Sequence, residues 1–285
     1  MKTLLAVINE SEHSKKFIKY AAQLSKDLNT NLKLLAVQNP HAYSIGTQDP
    51  SGAAVVNAQE ILEEIAQKTK QDLLKLSKEA NAELPFNINI DVLSEIGITK
   101  LIVDELVSNN KVDMVIIESK LSVSFWAQSS TNKDIIYDIN CPVWVIPKEA
   151  EYVPSSKIVY ATNYKEEDIS TMKKLLKLVQ TFNPEIVALH ITDTIDFEEK
   201  VKKEGFLETL QKNTGYSKIK IKVLKEREND NVAQLINDYS SDIDANLIVL
   251  LKENRHFLDR LFNPSSTKKL IKEAKLPVLI FHEKE

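Results

Sequence analysis

Five apolar runs occur in this chain, and then occur again in the same order. Residues 2–10 (KTLLAVINE) resemble residues 157–165 (KIVYATNYK), with Asn9 and Asn163 in register 154 positions apart. At the same spacing, residues 32–38 (LKLLAVQ) return as 186–192 (IVALHIT). INIDVLSE (88–95) answers KIKVLKE (220–226), VDMVII (112–117) answers ANLIVL, and CPVWVIP (141–147) answers LPVLIFH (276–282). A duplication of this kind restricts the chain to architectures that can be built as two like halves.

Helical spacing separates the runs. Phe17, Ala21, Leu24 and Leu28 fall on one helix face, and Met172, Leu175, Leu176 and Val179 on its counterpart. Leu101, Ile102, Leu106 and Val107 mark a later helix, answered by Val232, Leu235 and Ile236. Ile135, Ile136 and Ile139 mark the last helix of the first half, with Leu270, Ile271 and Ala274 opposite. Each half therefore alternates strand and helix through five strands. Short strands alternating with helices predict an α/β fold, two tandem Rossmann-like, doubly wound parallel sheets. The proline-marked stretch 147–157 (PKEAEYVPSSK) reads as the linker, which places the domains at 1–149 and 150–285. The halves differ before their third strands. The first carries a turn-rich loop (41–51) and a long helix over about 53–83, with Ile61, Ile65, Leu73, Leu76 and Ala80 as its apolar residues; the second has only the shorter 196–213 segment.

Composition narrows the function. A formal net charge of −4 carries no signature for nucleic acid or an anionic membrane. The lysine-rich stretch 217–227 alternates strictly, as the exposed face of an edge strand does. No apolar run approaches the roughly 20 residues of a membrane helix, and the N-terminus turns polar too early for a signal peptide. The single cysteine, Cys141, excludes an internal disulfide and suits a reducing compartment, so a cytoplasmic location is expected. The five histidines form no HExxH, and GxSxG, GxGxxG and GxxxxGK[ST] are absent, so neither a metal site nor a catalytic set is expected. Cys141 opens a buried strand, where a packed, inert thiol is expected.

The chain resembles the universal stress protein family in its tandem form. The resemblance spans both halves and rests on LLAVINESEHS (4–14) for the first strand and turn, on CPVWVIP and LPVLIF for the last strands, and on RLFNPSSTKKL (260–270) for the lead into the last helix. It implies five-stranded sheets of order 3-2-1-4-5. It also implies that the two last strands meet antiparallel about a pseudo-twofold axis, an intramolecular pseudo-dimer that leaves room for a homodimer of whole chains.

Many members bind ATP or AMP, through an acidic residue at the end of strand one and a Gly-x2-Gly-x9-Gly-Ser/Thr loop after strand four. Other members lack that loop. Here Leu251, Asn254 and Pro264 stand at the glycine positions of the second half, followed by Ser265 and Ser266. Proline offers no N–H to a phosphate but suits the first turn of a helix. In the first half Glu118 stands at the first glycine position and Ser129 and Ser130 at the Gly-Ser position. A carboxylate there opposes a triphosphate, by roughly 4 kcal/mol for two charges about 4 Å apart near a protein surface. Both strand-one ends carry asparagine, Asn9 and Asn163, which still accepts a hydrogen bond. The candidate ligand residues are thus Asn9, Glu118, Ser129, Ser130, Asn163, Asn254, Ser265 and Ser266, with the serines equally suited to helix capping.

The reading these residues favour is a non-enzymatic stress-response protein with degenerate nucleotide sites and no cofactor, acting on a protein partner. Its rival is an ATP- or AMP-binding sensor that keeps one working cleft; under the favoured reading, any weak anion or adenosine-like ligand is expected to prefer the first cleft, between Asn9 and Ser130.

Overall fold

A computed structural model describes residues 2–8, 14–40, 53–119, 135, 139–148, 150–227, 230–252 and 274–282. The chain divides into two compact units. The first contains β1 (Thr3–Ile8), α1 (Ser14–Asp27), β2 (Asn31–Gln38), α2 (Ala53–Ala82), β3 (Ile90–Ile96), α3 (Thr99–Ser108) and β4 (Met114–Ser119). Its strands pair in the order β3-β2-β1-β4, all parallel. The second contains β5 (Val143–Pro147), β6 (Lys157–Ala161), α4 (Glu166–Val179), β7 (Glu185–Thr192), α5 (Phe197–Thr214), β8 (Ile219–Lys225), α6 (Val232–Asp242), β9 (Leu247–Lys252) and β10 (Val278–His282). Here β8-β7-β6-β9-β10 run parallel, the third-second-first-fourth-fifth order. Strand β5 pairs with β10 antiparallel, Val145 opposite Val278 and Trp144 opposite Leu279. The last strands of the two repeats therefore meet as expected.

Strands β1, β4, β5, β6, β9 and β10 are buried nearly end to end: Leu4 to Val7, Met114 to Ile117, Val143 to Ile146, Ile158 to Ala161, Leu247 to Leu251 and Val278 to Phe281 are all core residues. Such continuous apolar runs are what a sheet covered on both faces requires. The lysine-rich stretch forms β8, paired on one side with β7, and its Lys220 and Lys222 are exposed while Ile219 and Ile221 are buried. Long flexible cations on an end strand oppose the docking of another strand.

The duplication reaches the fine structure. Asp113, just before β4, accepts from the backbone N–H groups of Lys2 and Thr3 at 2.8 and 2.9 Å. Asn246, just before β9, accepts in the same way from Ser156 and Lys157 at 3.2 and 3.1 Å. Left-handed residues recur too: Asn29 and Asn183 (φ 52° and 45°) follow the first helix of each half, and Asn110 and Asp244 (φ 54° and 53°) follow the third. Asparagine and aspartate tolerate that conformation better than other side chains.

Two helix faces differ from the sequence reading. In α3 the buried residue is Val103, and Leu101 is 58% exposed. In α2 the inner stripe is Leu62, Ala66, Leu73, Ser77 and Ala80, with Ile61 exposed. Both helices carry apolar residues on neighbouring faces, so periodicity alone leaves their rotation open by about one residue, 100°.

Candidate functional site

In a doubly wound sheet ligands bind in the crevice beyond the carboxyl ends of the strands, where the crossovers reverse. In the second unit that point is the end of β6, which lies between β7 and β9. The sequence there is YATNYKEED. Alternation along the strand turns Tyr160 toward the start of α4, where its hydroxyl donates to Asp168 Oδ1 at 2.6 Å. Thr162 Oγ1 donates to Asp168 Oδ2 at 2.7 Å, and the backbone N–H groups of Asn163 and Lys165 point at the same oxygen from 3.3 and 3.1 Å. The buried Asp168 carboxylate thus fixes the turn from strand to helix, with donors meeting the cost of its burial.

That turn forces the next residue into an unusual backbone. Tyr164 has φ 60°, and among the described residues it is the one left-handed residue that is neither glycine nor asparagine or aspartate. Its N–H donates to Thr162 Oγ1 at 3.0 Å, and its ring folds back over β7. There it stacks on His190, centroids 4.2 Å apart and planes 29° from parallel, and tilts against Phe206 of α5 at 5.0 Å. The phenol donates to Glu199 Oε1 at 3.0 Å.

Glu199 is buried in the first turn of α5, and its N–H is capped by the Asp196 side chain at 2.9 Å. His190 Nδ1 lies 2.9 Å from the Thr162 carbonyl, which can only accept, so Nδ1 carries the proton. Its Nε2 faces Glu199 Oε2 at 3.9 Å, beyond hydrogen-bond range. Burial, and then the hydrogen bond to the Glu199 carboxylate, push the Tyr164 hydroxyl well above the usual tyrosine range. The phenol is therefore held as a donor. The Tyr164 ring thus fills the slot lined by His190 and Phe206, with the Glu199 carboxylate at its end accepting from the hydroxyl.

Of the sequence candidates, the structure places Asn163 in this turn, half-buried, with its backbone N–H engaged by Asp168. Glu118 is the penultimate residue of β4 and half-buried, so it lies within strand four and not after it. Asn9, Ser129, Ser130, Asn254, Ser265 and Ser266 lie outside the described residues. Tyr164, His190 and Glu199 were not singled out from the sequence. The available signal was a histidine inside an otherwise apolar strand (VALHIT), followed by an acidic helix start (DFEE).

The universal stress protein family model matches residues 1–147 and, a second time, 154–282. The chain belongs to the universal stress protein family. A universal stress protein from Archaeoglobus fulgidus DSM 4304 superposes with a TM-score of 0.66 at 13% identity, over 99% of this chain and 98% of that one. A functionally unknown protein from Pseudomonas aeruginosa PAO1 gives 0.59 at 15% identity, over 99% and 92%. The cytoplasmic domain of a prokaryotic cation chloride cotransporter gives 0.54 at 13% identity, over 98% and 94%. At these identities the likeness is one of fold. A search of curated protein sequences found no significant match. Among the described residues no helix is long and apolar enough to cross a membrane, and no cluster of His, Cys, Asp and Glu could hold a metal ion.

Proposed function

We propose that this universal stress protein serves the stress response as a binding protein and not as an enzyme, with its nucleotide clefts degenerate and a protein as its partner. The observation that carries the reading is Tyr164, whose ring occupies the slot beside the end of β6 and whose hydroxyl satisfies the acid at its base. A base entering that slot would have to displace a stacked aromatic ring and break a hydrogen bond to a buried carboxylate. The proline and leucine at the glycine positions of the second half point the same way. Two groups that could act as nucleophiles are held inert: the Tyr164 phenol stays protonated, and burial pushes the Cys141 thiol up to about 12.

Titration calorimetry with ATP, AMP and adenosine tests the nucleotide half of the reading. Wild type is expected to bind none of them at micromolar concentration, any weaker adenosine-like ligand preferring the first cleft and so responding to Asn9→Ala. Micromolar ATP binding abolished by Asn163→Ala would overturn it, as would nucleotide released from freshly purified, heat-denatured protein. Capture of partners from stressed and unstressed cells tests the other half, with stress-dependent retention of a protein as the expected result.

A further inference from the structure

Helix α5 buries Glu199, Phe206 and Leu210 on its inner side, and its outer side is not that of an ordinary solvated helix. Phe197 is 80% exposed, Val201 53%, and Ile195, just ahead of the helix, 44%. Phe197 and Val201 are one turn apart, and the next position on that stripe is Gly205, also exposed. A Cβ at Gly205 would meet nothing within 4 Å, and its backbone is helical. Glycine inside a helix is disfavoured relative to alanine, and nothing among the described residues uses its small size. A bulky apolar knob and an empty notch thus lie at equal distances on either side of Val201.

That arrangement is self-complementary. We propose that α5 is a self-association surface, pairing antiparallel with the same helix of a second copy about a twofold axis at Val201. Phe197 then seats over Gly205 of the partner subunit, and the reverse contact follows by symmetry, as an isologous interface requires.

The charges agree. Lys200 and Glu204 lie on one flank of the stripe, Glu198 and Lys202 on the other, all exposed. Antiparallel pairing brings Lys200 within about 3 Å along the axis, two residues of helical rise, of Glu204 of the partner subunit. Glu198 comes equally near Lys202 of the partner subunit, joining the Glu198–Lys202 pair already formed within each helix at 2.6 Å. The flanks carry two acids and two bases, a balance that suits a like copy and not a strongly basic or acidic ligand.

Sedimentation equilibrium on the full chain, up to about 1 mM, tests the proposal. Wild type is expected to form a reversible dimer and Phe197→Asp to remain monomeric. Gly205→Ala should raise Tm by a few degrees, as helix glycine replacement does, yet weaken dimerisation about tenfold by filling the notch. Lys200→Glu should weaken the dimer, and Lys200→Glu combined with Glu204→Lys should restore it. A wild type that stays monomeric throughout would overturn the proposal. So would a Phe197→Asp or Gly205→Ala chain that dimerises as wild type does.

Discussion

Replacing Tyr164 by alanine and by glycine separates its backbone from its side chain. Both changes remove the stacked ring and the hydrogen bond to Glu199, so those losses cancel in the comparison. What remains is the left-handed backbone at φ 60°. A side chain there costs about 1–2 kcal/mol through its Cβ. Glycine loses more freedom on folding, by about 0.5–1 kcal/mol. The difference leaves Tyr164→Gly more stable than Tyr164→Ala by about 0.5–1 kcal/mol, the reverse of the order at ordinary positions. Tyr164→Phe isolates the remaining contribution. It keeps ring and backbone but removes the phenol donor from the buried Glu199, at a cost of about 1.5–3 kcal/mol for a bond to a charged group. Urea denaturation at neutral pH, with equal m values across the three variants, measures all of these. An alanine variant as stable as the glycine variant would refute the strained turn. A phenylalanine variant as stable as wild type would refute the role of Glu199 as the phenol's acceptor.

Alkaline titration gives a second view of the same residue. Folding raises the Tyr164 ionisation, so its contribution to stability is complete below about pH 10, the unfolded tyrosine value, and is lost as pH climbs toward the folded one. Wild-type stability should therefore fall more steeply above pH 10 than that of Tyr164→Phe; parallel curves would contradict this. Cys141, buried and with its thiol pushed up to about 12, should resist a thiol reagent at pH 8 until the protein unfolds. Cys141→Ser should cost about 1–3 kcal/mol by burying a stronger polar group, with any ligand or partner binding unchanged; binding lost from a fully stable serine variant would make the thiol functional.

Among the described residues the element order, the two-fold repetition and the edge position of the lysine strand were legible in the sequence. The meeting of the two last strands was implied by the family resemblance, and the last helix expected in each half lies almost wholly outside the described residues. The first three rest on local signals: buried runs such as VDMVII and ANLIVL that recur in order, and alternating lysines on the end strand. Helix rotation was less legible. Val103 and not Leu101 faces inward because packing chooses among several apolar residues on one short helix. The occupied slot was not legible at all. Tyr164, His190, Glu199 and Phe206 come from a turn, a strand and a helix, and only parallel register beside β6 brings them together. Nor does any local preference place a tyrosine at positive φ; the Asp168-bonded turn imposes it, because tertiary contacts outweigh a backbone cost of one or two kcal/mol. The absence of glycine after both fourth strands is written in the residue order alone, whereas the seating of Tyr164 against His190 and Glu199 needs the parallel pairing of β6 and β7 to bring distant residues into contact.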